Sequence, residues 1–169
     1  MLLPGARYFS QAPLLWFARE AAQAAGWSAL ELSERAPADG DPFAWMRERA
    51  RSTLGATEAQ RVVVVGKSLG SVAAPLALEQ RLRAIWLTPL LTRPDVVAAL
   101  NATEAPALIV GSSEDPTWSE GEQPVNDALE IVELEGLDHS LQAEGDPLAS
   151  LDVLREVVER IAGFLERPG

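Results

Sequence analysis

The chain has 169 residues, enough for one domain with a substantial core, and carries 14 basic against 25 acidic side chains for a net charge of −11. That excess of negative charge repels nucleic-acid backbones and anionic lipid headgroups, so neither is an expected partner. The absence of cysteine removes disulfides, thiolate zinc sites and cysteine nucleophiles, and a single histidine, His139, cannot build a multi-histidine metal centre.

In chain order, the opening MLLPGARYFS has no basic lead and is broken by Pro4 and Gly5, and no apolar run reaches the ~20 residues that span a bilayer. A soluble, cytoplasmic protein is expected. Met1–Pro4 reads as a first strand, followed by a helix capped by Ser10 and running through Ala25, with Leu14, Leu15, Ala18, Ala21 and Ala22 inward. Trp27–Leu32 reads as a second strand; after the loop SERAPADGD comes a helix over Pro42 to Leu54. Arg61–Val65 holds four consecutive valines, β-branched residues that favour an extended chain. Val72 to Leu78 has helical character, with Pro75 expected to bend it. Further strands fit Ala84–Leu87, Ala107–Val110 and Leu129–Leu134. Asp146-Pro147 then caps a final helix in which Leu151, Leu154, Val158, Ile161 and Leu165 recur at helical spacing.

Continuous apolar strands such as VVVV and ALIV belong to parallel sheets covered on both faces. The expected fold is therefore α/β: one domain over residues 1–169, a doubly wound, mostly parallel six-stranded sheet with helices on both faces. In such sheets chemistry gathers at the carboxyl ends of the strands.

Two motifs overlap in RVVVVGKSLGS, residues 61–71. Gly66-Lys67-Ser68 matches the end of a phosphate-binding loop, but that loop needs a glycine five positions before Gly66, where Arg61 stands, and four valines cannot form an anion nest. Gly66-x-Ser68-x-Gly70 between a strand and a helix instead fits a nucleophile elbow, with Lys67 expected as an exposed side chain. A serine hydroxyl needs a base, the base an orienting carboxylate, and the developing oxyanion a pair of N–H donors. His139 in EGLDHS and Asp115 in GSSEDPTW both fall after strands, giving the order Ser68, Asp115, His139. Glu114 and Asp138 are the neighbouring acids. Asp138 is adjacent to His139 and badly placed to reach its far nitrogen, whereas Asp115 comes from a different strand end.

These stretches, together with LLPGARY, APLLWFAREA, AIWLTPLL and GLDHSLQ, resemble the small α/β-hydrolase-fold serine hydrolases of the compact, dienelactone-hydrolase-like bacterial kind, over nearly the whole chain. The resemblance implies Ser68 as nucleophile, His139 as general base and Asp115 as orienting acid, with an oxyanion hole from the N–H groups of Leu69 and Ala6. It implies a carboxylesterase-like enzyme that cleaves small-molecule esters or thioesters through an acyl-enzyme and needs no cofactor or metal. The first two strands usual in that fold are missing, which would leave Trp27–Leu32 at the sheet edge. Pro4-Gly5-Ala6-Arg7 replaces the more familiar His-Gly start of the oxyanion loop. Tyr8, Leu90, Leu91 and Trp118 lie in loops beside the strand ends and are candidates to line a substrate pocket. The short segment from Thr88 to Pro106 leaves little room for a lid, so the site should be open. The competing reading is a silent binding or scaffold protein on the same fold; substrate identity and oligomeric state are not encoded in these motifs.

Overall fold

The structure, a computed structural model, describes residues 1–167, so the last two residues of the single domain expected over 1–169 lie outside the described residues. Five parallel strands form one sheet in chain order: β1 (Leu2–Leu3), β2 (Val63–Lys67), β3 (Arg83–Leu87), β4 (Ala107–Ser112) and β5 (Leu129–Leu134). Val65 pairs with Leu2 on one side and Ile85 on the other, and Ile85 in turn with Leu108. Successive side chains alternate between two apolar layers, as strand geometry requires. Val63, Val65, Ile85, Leu87, Leu108 and Val110 enter one layer, and Val64, Ala84, Trp86, Ala107 and Ile109 the other.

Parallel neighbours need crossovers, and helices supply them on both faces. The first layer is closed by α1 (Pro13–Ala24) and α6 (Pro147–Glu166), and the second by α2 (Pro42–Gly55), α3 (Ala74–Glu79) and α4 (Pro94–Ala102). A single turn, α5 (Pro116–Ser119), follows β4. The doubly wound layout agrees with the sequence pattern. Among the described residues no helix is long and apolar enough to cross a membrane.

Four local expectations are corrected. The sheet has five strands, not six: Trp27–Leu32 contributes only an isolated parallel bridge between Leu2 and Glu31, held by Leu2 N–H to Leu30 O at 2.8 Å and Leu32 N–H to Leu2 O at 3.0 Å. Its partner β1 ends after two residues, ahead of Pro4, which has no N–H to extend a ladder. Helix α1 starts at Pro13 after Ala12, not at a Ser10 cap, because proline's fixed φ suits the first helical turn. Pro75 produces no bend: a 3₁₀ segment over Ser68–Ala73 hands over to α3 at Ala74, placing Pro75 in a first turn where no N–H is needed. In α6, Asp146 caps the backbone of Leu148 and Ala149, but the buried stripe is Val157, Ile161, Phe164 and Leu165, with Val153 and Leu154 partly buried beside it. Leu151 faces solvent at 61% exposure.

Because all five strands run the same way, the loop after β1, the turn after β2 and the loops after β3, β4 and β5 emerge at one edge of the sheet. Ser68, Asp115 and His139 come from three of these.

Candidate active site

Ser68 sits at φ 50°, a left-handed conformation that a β-carbon makes unfavourable by about 1–3 kcal/mol unless its surroundings hold it. Two glycines make that turn possible. A β-carbon on Gly66 would lie 2.6 Å from the Trp86 ring, and one on Gly70 would lie 2.4 Å from the Leu3 carbonyl oxygen. The strand, the turn and the start of the helical segment are thus packed too closely for any larger residue at either position. The loop after β1 also closes on this turn, since a β-carbon on Gly5 would meet that of Ser68 at 3.4 Å.

Ser68 Oγ lies 2.7 Å from His139 Nε2, and His139 Nδ1 lies 2.6 Å from Asp115 Oδ2. The three side chains that the sequence singled out are therefore linked in one line. Asp115 caps α5: its Oδ1 accepts the Thr117 backbone N–H at 2.9 Å and the Thr117 hydroxyl at 2.9 Å. Thr117 Oγ1 also lies 3.2 Å from His139 Nδ1. The Asp115 side chain is wholly buried. Burial alone pushes its carboxyl pKa up, but the His139 hydrogen bond and charge, with the two Thr117 donors, outweigh it and hold the group below the ordinary aspartate value.

The neighbouring acids face other work. Asp138 Oδ1 accepts the backbone N–H groups of Ser140 and Gln142, at 2.7 and 2.9 Å, and shapes the histidine loop from within. Glu114 accepts from the Ser113 hydroxyl and the Gly136 N–H and is exposed. Ser112, at the end of β4, ties the same loop to the sheet by donating to Leu137 O at 2.8 Å and accepting Leu137 N–H at 3.2 Å.

Leu69 follows Ser68 in the chain, and Ala6 follows Gly5, which lies against Ser68. The Leu69 N–H opens the helical segment, where amides have no intrahelical acceptor, and the Ala6 N–H has no acceptor among the described residues. Ala6 itself is exposed.

Lys67 departs from expectation. It is 1% exposed, not a surface side chain, and its Nζ donates to Thr88 Oγ1 and, at 2.8 Å, to the backbone carbonyl of His139. An amine so placed is unavailable to a bound phosphate.

Of the proposed pocket residues, Trp118 and Leu91 turn into the core, while Tyr8 and Leu90 stay partly exposed. Trp118 is 1% exposed and packs on Gly111, where a β-carbon would overlap its ring, while its indole N–H meets Glu133 Oε2 at 2.5 Å. Leu90 is partly buried against the core and its N–H meets Ser71 Oγ. Leu91 is fully buried. Tyr8 accepts the Leu14 N–H through its hydroxyl at 2.9 Å. A cleft of about 120 Å³ opens between Leu69 and the β1 loop, lined by Gly5, Ala6 and Leu69 with Phe9, Arg35 and Trp45, and not by Ser68, Asp115 or His139 themselves. Phe9, Arg35 and Trp45 were missed because no local motif marks them; they meet only once α2 and the loop before it fold against the β1 loop. Among the described residues no group of three or more histidine, aspartate and glutamate side chains converges as a metal site.

No family model matches the sequence, and no curated protein matches it. Solved structures do. Est1E from Butyrivibrio proteoclasticus, solved with ferulic acid bound, is similar with a TM-score of 0.69 at 14% identity, over 97% of this chain and 86% of that one. The monoacylglycerol lipase of Paleococcus ferrophilus gives 0.62 at 14%, over 96% and 93%. A Xanthomonas campestris protein described as a hydrolase of the alpha/beta superfamily gives 0.67 at 20%, over 96% of each chain, so the compact layout is itself shared with a solved structure. Parallel strand order, the strand–turn–helix around Ser68 and these alignments together show that the chain has the α/β-hydrolase fold.

Proposed function

We propose that the protein is a serine hydrolase that cleaves carboxylic esters or thioesters of small molecules. The observation that carries this reading is the line from Ser68 Oγ through His139 to Asp115, with contacts of 2.7 and 2.6 Å. His139 donates its Nδ1 proton to Asp115 and so presents a bare Nε2 to the serine hydroxyl. Ser68 Oγ attacks the carbonyl carbon as its proton passes to Nε2, and the oxyanion meets the N–H groups of Leu69 and Ala6. Collapse expels the alcohol or thiol, which takes the proton from the imidazolium and leaves an acyl-Ser68. Water then enters by the same route: His139 takes its proton, the acid departs, and Ser68 recovers its own. Asp115 remains ionised throughout, stabilising the imidazolium in both halves. No step calls for a cofactor.

Esterases and a lipase share this fold, which supports the reading. If the small cleft lined by Gly5, Ala6 and Leu69 receives one side of the scissile bond, it favours a compact group there. A fluorophosphonate probe tests the proposal, because it reports an activated serine without knowledge of the substrate. One adduct on Ser68, lost in Ser68→Ala together with hydrolysis of short activated esters, is expected by mass spectrometry. No adduct at neutral pH, or an adduct on another serine, would overturn it.

A further inference from the structure

The sequence holds one lysine, and the fold buries it under the histidine loop. Lys67 occupies the last position of β2, immediately before Ser68, and its side chain leaves the strand on the same face as Val63 and Val65. There its Nζ donates to the carbonyl oxygen of His139 at 2.8 Å and to Thr88 Oγ1, with the Tyr8 ring centroid 5.1 Å away. A residue adjacent to the elbow serine is thus bonded to the backbone of the histidine 72 positions later. Thr88 is itself fixed, buried at the end of β3 with its N–H on Val110 O at 2.7 Å.

We infer that Lys67 is a positioning residue for the proposed hydrolysis, holding the His139 backbone at a set height above Ser68 through a charge-assisted hydrogen bond that weakens when the amine loses its proton. The inference rests on the serine-hydrolase reading for its effect on rate, but not for its effect on His139.

Charged and titratable groups facing Lys67 are Tyr8 from the β1 loop, Asp115 from the β4 loop, and Asp138 and His139 from the loop after β5. Burial lowers the Lys67 pKa to about 8, with the nearby charges of Asp115 and Asp138 pulling the other way. The neutral amine retains two donors, so the bond to His139 persists as a weaker, uncharged one. Because the folded pKa lies below the ordinary lysine value, proton loss between about pH 8 and 10.5 stabilises the fold even as it loosens the histidine loop. Stability and activity therefore diverge, which a merely structural lysine would not cause.

Single copies of lysine and histidine make the test direct, since labelled protein gives one side-chain amine signal and one imidazole set by NMR. As the Lys67 amine titrates in the wild type, the His139 imidazole resonances should shift with the same midpoint, and kcat should fall by about fivefold with KM steady. Lys67→Met, which removes the donor and the buried charge, should retain or raise the Tm, lower kcat by about tenfold and lose the alkaline step. Imidazole resonances that ignore the lysine titration would overturn the inference whether or not Lys67→Met folds. A well-folded Lys67→Met with wild-type kcat would overturn it equally. A wild type that fluorophosphonate leaves unlabelled would instead defeat the hydrolase reading, with the imidazole titration still deciding the positioning of His139.

Discussion

On the β4–β5 side of Ser68, Asp115 is wholly buried, Thr117 doubles its hydrogen bonds, Ser112 anchors Leu137, and Asp138 folds the histidine loop onto itself. On the β1 side, Ala6, Arg7 and Phe9 are exposed, and the loop is held by Gly5 N–H to Tyr8 O at 3.0 Å with a long return contact of 3.5 Å. The groups proposed to move a proton are fixed in advance, where a misplacement of an ångström is costly to rate. Ala6 and Phe9, on the side proposed to meet substrate, are left accessible. One edge of one sheet thus combines a preorganised half and an adaptable half.

Breaking the fixed half should have the largest effect. Asp115→Asn is expected to lower kcat by up to ~10⁴, the loss seen when a triad's orienting acid is disabled, while Asp138→Asn and Glu114→Gln cost less than about tenfold. Steady-state kinetics on the three folded variants decides this; a crippled Asp138→Asn with a near-normal Asp115→Asn would reassign the acid. Gly66→Ala forces a β-carbon to within 2.6 Å of Trp86 and should destabilise the protein by about 1–3 kcal/mol in urea unfolding. Thr117→Val keeps the backbone cap on Asp115 but deletes the hydroxyl, for an expected loss of about tenfold in kcat at unchanged KM.

The same carboxylate gives a pH signature. Its folded pKa is depressed, so its stabilising contribution is fully present above about pH 4 and disappears as pH falls through the lower folded value. Acid unfolding of Asp115→Asn should accordingly be shallower than that of the wild type in this window. The adaptable half should respond least: Phe9→Ala is expected to raise KM about threefold and leave fluorophosphonate labelling of Ser68 intact. A large fall in labelling would mean that this loop, too, is part of the fixed apparatus.

What could be read from the sequence was what short stretches determine by themselves. Four valines ending at Gly-x-Ser-x-Gly specify a strand and a sharp turn, and the order Ser68, Asp115, His139 needs only that each follow a strand. Lys67, expected at the surface, is buried, because its environment depends on which face of β2 it occupies and on a loop far along the chain. Trp118 was misassigned for a similar reason: a large aromatic near a strand end suggests pocket wall, and only the space left by Gly111 shows that it turns inward. The stretch 27–32 has strand character but too short a partner to form more than a bridge.

The packing of Trp86 beneath Gly66 and of Trp118 against Gly111 has an optical consequence. Two of the five indoles are closely packed and shielded from solvent, one under the serine turn and one in α5, the turn capped by Asp115, whereas Trp16 is 40% exposed on α1. Immobilised aromatic rings in an asymmetric environment dominate near-ultraviolet circular dichroism, and a solvated indole contributes little to it. The protein therefore carries intrinsic chromophores beside both the serine and the acid, so that a loosening of either turn would register in the near-ultraviolet even with the helices intact.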